Sequence, residues 1–139
     1  MPFTPWASID DYLELLDWIE DEDLSESVDP VQLSIRLLIP PGSPLAELET
    51  LRPHLRGLRR ERFGHDWSHP DPRMDRLHAH VAEIVREAAT SSEPADATFP
   101  HIRAAALAAA GRPVVPAPTR FLPARAAAAP PRLTEPWFC

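Results

Sequence analysis

The 139-residue sequence contains no lysine and no asparagine, only four glycines, and a single cysteine, Cys139, at its last position. One cysteine cannot form a disulfide within the chain, nor can it supply a multi-cysteine zinc or iron–sulfur site. No apolar run approaches the roughly 18 residues needed to span a bilayer, and the N-terminus lacks the basic and apolar pattern of a secretory signal. We therefore expect a soluble, cytoplasmic protein with no membrane partner.

The charge balance is acidic, with 14 arginines against 21 acids and a formal net charge of -7. This balance argues against nucleic acid and against an anionic membrane surface as a partner. The apolar fraction of 44% permits a core, but 18 prolines indicate long irregular stretches. The ordered part of the chain is therefore expected to be smaller than its length implies.

Apolar residues at helical spacing predict three long helices, at residues 9–22, 72–89 and 100–110. The first follows a variant of the capping box formed by Ser8 and Asp11. A shorter helix is predicted after the first of these, just beyond a proline-rich turn, and an extended, mobile linker is expected after the last.

The ends of the later helices carry recognisable signals. Asp71 is the expected N-cap of the second helix, with Pro72 at its first position. Gly111 is expected to end the third helix in a left-handed cap. Between the first and second helices, residues 52–62 contribute five arginines. We expect these to form intramolecular or solvated ion pairs rather than an RNA-binding patch.

A change of period to two predicts one strand, at residues 31–39. Pro30 stands at its entrance, where a missing donor is tolerated, and the proline-rich residues 40–44 end it. The apolar face would consist of Val31, Leu33, Ile35 and Leu37, and the polar face of Gln32, Ser34 and Arg36. A strand alone leaves backbone groups unpaired on both edges. The pattern therefore favours a barrel with helices outside and a polar cavity inside, with pairing to a partner's sheet edge or within a homodimer as the alternative.

Three segments, taken in order, resemble certain radical S-adenosylmethionine (radical SAM) enzymes. VDPVQLSIRLLIPPGS (28–43) resembles their last barrel strand and rim loop, and HPDPRMD (69–75) is similar to the stretch that opens their post-barrel helix. PRLTEPWFC (131–139) is similar to the tail of the subgroup whose C-terminus continues Cys-Sec-Ala-Glu-Pro or Cys-Cys-Ala-Glu-Pro. The resemblance covers most of the chain.

The expected fold is therefore mostly α with one orphan strand. The resemblance implies the C-terminal part of a partial (β/α) radical SAM barrel, followed by post-barrel helices and a disordered tail. Residues 1–44 would hold the last barrel helix, the strand and the rim loop, and residues 45–111 the post-barrel helical region. Residues 112–139 would form an alanine- and proline-rich flexible linker and a redox-type tail.

The resemblance also implies a reaction for the complete protein. A 4Fe–4S cluster would cleave S-adenosylmethionine reductively, and the resulting 5'-deoxyadenosyl radical would abstract hydrogen from an unknown small-molecule substrate. Such enzymes hold the cluster with three cysteines, usually Cys-x3-Cys-x2-Cys, and this chain lacks that motif. We therefore expect the chain alone to bind no cofactor and to be inactive, with the missing N-terminal barrel portion of the same enzyme as its partner.

Cys139 stands where the resembling tail has the cysteine that precedes selenocysteine. Since UGA encodes selenocysteine, we hypothesise a misread stop after Cys139 and an internal Met1. The alternative is a non-enzymatic helical interaction module that lends its strand to a partner.

Three residues are the candidates for chemistry. Gln32 and Arg36 would point into the cavity, where Arg36 would clamp a carboxylate of the substrate or of SAM and Gln32 would bind a polar group. A purely structural pair between Arg36 and an acid is the alternative. Cys139 is the candidate redox group, acting with a neighbouring thiol or selenol.

No metal site is predicted from the histidines. His65 and His69 have the spacing of two ligands on a helix, but Gly64, Trp67 and Pro70 make a helix there unfavourable. His78 and His80 lie on one predicted helix and diverge by about 200 degrees. Trp67 is expected to fasten the loop of residues 63–70 onto the barrel by packing.

Overall fold

The computed structural model describes residues 1–114. Three helices dominate this part of the chain: α1 (Ile9–Asp21), α2 (Pro72–Ser91) and α3 (Ala95–Ala109). The prediction of a mostly helical protein is confirmed. The predicted redox tail and most of the predicted linker lie outside the described residues. No helix within residues 1–114 is long and apolar enough to cross a membrane.

Helix α1 begins and ends close to the predicted bounds because its cap forms as expected. The Ser8 side chain accepts a hydrogen bond from the Asp11 N–H at 3.1 Å, and the Asp11 carboxylate accepts from the Ser8 N–H at 2.7 Å. One face of the helix is buried, through Ile9, Tyr12, Leu13, Leu16 and Ile19. Its Tyr12 hydroxyl donates to the Leu33 carbonyl at 3.0 Å, which fixes the chain after the helix.

Helix α2 also confirms its predicted start. Asp71 is the N-cap and accepts from the Arg73 N–H at 2.9 Å, and Pro72 occupies the first turn. The buried face is formed by Met74, Leu77, Val81, Val85 and Ala88. The helix ends at Ser91 and is capped by Ser92, which adopts a left-handed conformation with φ 56°.

Helix α3 begins at Ala95, five residues earlier than predicted, and includes Pro100 in its interior. An interior proline removes one helical hydrogen bond and ordinarily costs about 3 kcal/mol. Burial of Thr98, Phe99 and other side chains before and after Pro100 opposes that cost. The end is as predicted, because Gly111 has a positive φ of 69°.

The predicted strand at residues 31–39 is wrong as a continuous element. Pro30–Ser34 is a 3-10 helix, started by the Asp29 side chain, which accepts from the Val31 N–H at 2.9 Å. The Ser34 hydroxyl donates back to the Val31 carbonyl at 2.9 Å and tightens the same turn. These local hydrogen bonds compete with strand formation, although the side chains alternate in character. The chain extends only from Ile35 onward.

The paired strands lie elsewhere, in an antiparallel hairpin of β1 (Leu55–Arg59) and β2 (Gly64–Trp67). The sequence analysis assigned these residues to an arginine-rich stretch and a loop. The turn between them ends at Phe63, which adopts a left-handed φ of 55°. The ladder shifts register between Leu55 and Gly57. The turn residues lack the usual hairpin signal, whereas the bulge lies at Gly57, which has a positive φ of 117°.

Most of the buried apolar residues form one core between the three helices. Phe3, at the start of the chain, joins this core and is 2% exposed. The core combines residues from both predicted segments, 1–44 and 45–111. A smaller cluster of Ile39, Leu51 and Trp67 lies under the hairpin. The extended segment after Ile35 therefore connects the helical core to the hairpin.

Candidate functional site

An open cleft of about 510 Å³ lies where the extended segment after the 3-10 helix meets β2. Its walls include Arg36 from the extended segment, Arg56 from β1 and His78 from α2. His65 and Trp67 of β2 complete the opposite wall. The cleft thus gathers two arginines, two histidines and a tryptophan, together with Asp66, from four separate parts of the chain.

Arg36 is held in the cleft by three contacts. Its guanidinium carbon lies 3.7 Å from the ring centroid of Trp67, in a cation–π arrangement. Its Nη2 donates to the Trp67 carbonyl at 2.7 Å and forms an ion pair with Asp75 Oδ1 at 2.9 Å. The side chain is 24% exposed. Nη2 therefore makes one hydrogen bond and one ion pair within the protein, which leaves Nη1 and Nε as the nitrogens that a ligand would contact.

This arrangement changes the role expected for Arg36. The sequence analysis expected the guanidinium to bind a carboxylate through two parallel hydrogen bonds. When these come from the two Nη atoms, Nη2 must be free. In the structure Arg36 cross-links the extended segment, β2 and α2. A structural ion pair was the alternative weighed for this residue, and Asp75 is its partner.

Trp67 and its neighbours on β2 complete the connection to the extended segment. The Trp67 indole N–H donates to the Leu37 carbonyl at 2.8 Å. Two residues earlier in β2, the His65 N–H donates to the Ile39 carbonyl at 2.8 Å. Trp67 is buried, at 7% exposed. The buried indole therefore ties β2 to the extended segment.

Asp75 is fixed from both of its carboxylate oxygens. Its Oδ1 is buried and contacts Arg36, and its Oδ2 accepts from the His69 N–H at 3.0 Å. The His69 ring is itself fixed: Nδ1 accepts from the Asp71 N–H at 2.9 Å, and Nε2 lies 2.9 Å from the Ala7 carbonyl. These contacts tie the start of α2 to the chain preceding α1.

His78 forms the inner end of the cleft. Its ring stands edge-on to Phe3, with ring centroids 4.9 Å apart. Burial lowers the pKa of His78 below its ordinary 6.5, and the nearby positive charge of Arg36 lowers it further. A backbone hydrogen bond with Ser34 and the charge of Asp75 act in the opposite direction. The neutral imidazole is thus favoured in the folded protein.

Gln32 does not share this cleft with Arg36. It lies in the 3-10 helix and is exposed. The expectation that both residues point into one cavity is wrong, because the strand that would have aligned them does not form. Cys139 lies outside the described residues. Within residues 1–114, no group of three or more histidine, cysteine, aspartate or glutamate side chains is arranged to hold a metal ion.

Phe3 and Arg36 form an isolated parallel bridge that the sequence did not reveal. The Phe3 N–H donates to the Ile35 carbonyl at 3.2 Å, and the Leu37 N–H donates to the Phe3 carbonyl at 2.8 Å. In this geometry the N–H and C=O of Arg36 point away from Phe3. Among residues 1–114, neither group has a backbone partner. One edge of the extended segment is therefore paired and the other is open.

Comparison of the chain with known protein families, with curated proteins and with solved structures finds no match. The functional argument therefore depends on the residues and on the geometry described above.

Proposed function

We propose that this chain is the C-terminal portion of a radical SAM enzyme. The observation that best supports this proposal is the parallel pairing of Phe3 with Arg36 on either side of α1. Parallel strands require a crossover of a dozen or more residues, usually a helix, and parallel sheets occur almost only in α/β proteins. The segment from Phe3 to Leu37 has this β-α-β order in reduced form.

The open edge at Arg36 supports the same proposal. A strand in a closed barrel is hydrogen-bonded on both sides, whereas here the Arg36 N–H and C=O have no backbone partner in the described part of the chain. Leu38 follows Arg36 by two residues, so it has the same place in the strand alternation, and it is 56% exposed. An adjoining parallel strand from the N-terminal part of the enzyme would hydrogen-bond to the Arg36 backbone groups and cover Leu38.

The place of the cleft also fits a barrel enzyme. Such enzymes build their sites on the loops after the strands, and the cleft lies beside Arg36, Leu37 and Leu38, just before the proline-rich turn. In the complete enzyme, Arg36 would contact a carboxylate of SAM or of the substrate through Nη1 or Nε. Gln32 is not assigned a role, because it lies outside the cleft.

The cluster chemistry belongs to the rest of the proposed enzyme. The 4Fe–4S cluster supplies the electron that cleaves SAM, and it requires three cysteine thiolates. This chain has one cysteine, so it does not fit the cluster, and no step through the cluster is assigned to its residues. Cys139 is proposed as a redox group of the tail, with a following thiol or selenol as its partner.

The open strand edge also favours a second candidate function, an interaction module that pairs Arg36 with a strand of another protein. Edge strands accept such additions readily. The two candidates differ in the origin of the added strand: the same polypeptide in the enzyme, and a different gene product in the module.

The genomic DNA on either side of the coding segment tests the enzyme proposal directly. We expect in-frame Cys-x3-Cys-x2-Cys codons upstream, or in an adjacent broken frame, and UGA followed by Ala-Glu-Pro codons after Cys139. A TAA or TAG codon after Cys139 would remove selenocysteine and leave the barrel unaffected. Absence of the cysteine motif from every upstream frame would refute the enzyme proposal.

Expression of the extended reading frame provides the biochemical counterpart. The longer protein, purified without oxygen and reconstituted with iron and sulfide, is expected to show cluster absorbance and to release 5'-deoxyadenosine from SAM. The 139-residue chain, treated identically, serves as the matched control and should do neither. A longer protein that folds but binds no cluster would contradict the proposal.

A further inference from the structure

Arg56 of β1 lines the cleft described above and is the extra residue of the bulge in the hairpin. Between the pairs that β1 makes with Trp67 and Asp66, Arg56 alone has no partner residue on β2. The next residue, Gly57, has a φ of 117°, a conformation that suits glycine and accommodates the extra residue. Bulges commonly re-aim a side chain relative to the regular alternation of a strand, and they are frequent beside functional sites.

One hydrogen bond orients the Arg56 guanidinium. Its Nε donates to the Ser68 hydroxyl at 3.0 Å, and the Ser68 N–H donates to the His54 carbonyl at 2.9 Å. Nε has a single hydrogen, so this contact leaves Nη1 and Nη2 as the remaining donors. Within residues 1–114, no acid forms an ion pair with Arg56. Arg56 therefore offers two parallel donors, unlike Arg36, whose Nη2 already has two contacts.

The acids near the cleft are directed to other arginines. Asp66 lines the cleft, and its Oδ2 accepts from the Arg59 Nε at 3.1 Å. Asp75 forms its ion pair with Arg36 at 2.9 Å. Neither carboxylate forms an ion pair with Arg56, so no direct partner within residues 1–114 neutralises its charge. A positive charge without an internal partner, at the wall of a cleft, attracts an anionic ligand.

We propose that Arg56 and His65 bind a phosphate group of a small-molecule ligand in this cleft. A phosphate monoester has three terminal oxygens and a charge of about −1.5 to −2 at neutral pH. Two of these oxygens would accept from Nη1 and Nη2 of Arg56, in the bidentate geometry that suits phosphate. The third would accept from the ring of His65, which is half-buried and lines the same cleft. A carboxylate has only two oxygens, so it would leave the His65 donor unused.

This proposal goes beyond the function proposed above, which assigns a carboxylate contact to Arg36 and no role to Arg56. Because SAM carries no phosphate, the phosphate would belong to the substrate of the complete enzyme, and the substrate class would be a phosphorylated small molecule. The cleft volume of about 510 Å³ lies in the usual range of small-molecule sites, about 300–1,000 Å³. All of the binding groups belong to residues 1–114, so the 139-residue chain should bind phosphate without the missing barrel.

Titration of the full 139-residue chain with inorganic phosphate, followed by nuclear magnetic resonance, tests the site. Neutral pH and constant ionic strength keep the screening of surface charges equal throughout. The reporter is the indole N–H of Trp67, which lines the cleft, and the indole of Trp18, exposed on α1, is the internal reference. We expect a saturable shift of the Trp67 signal, and Arg56→Gln should weaken the affinity at least about tenfold.

Arg60→Gln is the matched control, because it removes the same charge from the same hairpin at an exposed position that does not line the cleft. Its affinity for phosphate should stay within about twofold of the wild type, since a distant surface charge is screened. Arg56→Lys keeps the charge but loses the two parallel donors, so it should bind at least about threefold more weakly. His65→Ala should also lose at least about threefold. Circular dichroism verifies that each variant remains folded.

Four outcomes would overturn the proposal. Equal losses in Arg56→Gln and Arg60→Gln would show only a general attraction to the arginine-rich hairpin. Wild-type affinity in Arg56→Lys would show that the bidentate contact does not form. Acetate binding as tight as phosphate binding would assign the cleft to carboxylates. Absence of a saturable shift in the wild type would show that the site does not exist. None of these results bears on the upstream cysteine codons, so this proposal and the enzyme proposal can fail separately.

Discussion

The guanidinium carbon of Arg36 lies over the indole of Trp67, 3.7 Å from its ring centroid, and the guanidinium donates to the carbonyl of the same tryptophan. One side chain thus contacts both the ring and the backbone of the other. Since Asp75 binds the same Nη2 atom, the pair also connects to α2. The Arg36 guanidinium therefore stabilises the cleft through its contacts with Trp67 and Asp75.

The Arg36–Asp75 pair is expected to contribute measurably to stability. Arg36→Met leaves the buried Asp75 oxygen without a cation, so we expect the free energy of unfolding in urea to fall by about 1–3 kcal/mol. Combining it with Asp75→Asn should recover part of that loss, with a coupling of about 1 kcal/mol. Arg86→Met, which breaks the exposed pair with Glu83, is the matched control and should change little. Strict additivity of the two cleft substitutions would show that the ion pair is not formed.

Titration of His78 should make the protein less stable in mild acid. Its pKa is lowered in the folded state, so the unfolded chain binds a proton first as the pH falls. The stabilisation is complete above the ordinary value of 6.5 and is lost as the pH falls through the lower, folded value. Urea melts of the wild type and of His78→Gln between neutral and mildly acidic pH measure this effect.

The His78→Gln variant should show a shallower loss of stability over this pH range than the wild type. His80→Gln, an exposed position on the same helix, provides the control and should follow the wild-type curve. If His78→Gln and the wild type have parallel pH profiles, the histidine is not buried against Phe3 as described.

The helices could be predicted from sequence because their signals are local. Ser8 and Asp11 lie within one turn, and Asp71 adjoins Pro72, so the cap residues and the helix they start are read together. The early start of α3 was missed because Pro100 has the same local signature at a helix start as in a helix interior. Only burial of the residues before Pro100 decides between the two.

The strand and the site depend on contacts between distant residues. Leu33 and Ile35 alternate with polar residues as in a strand, yet the Asp29 cap imposes a 3-10 turn on the first half. Arg36 was identified as a site residue from its neighbours, but its partner Asp75 is distant in sequence and belongs to helix α2. No local pattern connects two such residues, so their pairing appears only in the folded chain.

The only tyrosine of the chain provides a spectroscopic test of the packing under α1. Tyr12 is 1% exposed and donates to the Leu33 carbonyl, and burial raises its pKa above the ordinary 10.0. Because the folded pKa is raised, the neutral phenol stabilises the protein below pH 10 and this contribution is lost as the pH rises further. We expect the ultraviolet signal of ionised tyrosine to develop only together with alkaline unfolding, measured by circular dichroism. Ionisation well before unfolding would contradict the buried hydrogen bond.

Backbone exchange rates should differ between the two edges of the extended segment. The Leu37 N–H is bonded to the Phe3 carbonyl at 2.8 Å, whereas the Arg36 N–H has no backbone partner within residues 1–114. In the 139-residue chain, we expect the Leu37 amide to exchange with deuterium at least about tenfold more slowly than the Arg36 amide, because exchange requires the hydrogen bond to open. Nuclear magnetic resonance resolves the two amides, and intrinsic rates correct for their side chains.

The same measurement on the extended reading frame distinguishes an open edge from a covered one. An adjoining barrel strand would accept the Arg36 N–H, so the two amides should become similarly protected in the longer protein. Protection of Arg36 already in the short chain, at concentrations where it is monomeric, would mean that this edge is satisfied from within. In that case the parallel bridge would belong to a self-contained fold, and the physical argument for a missing barrel would fail.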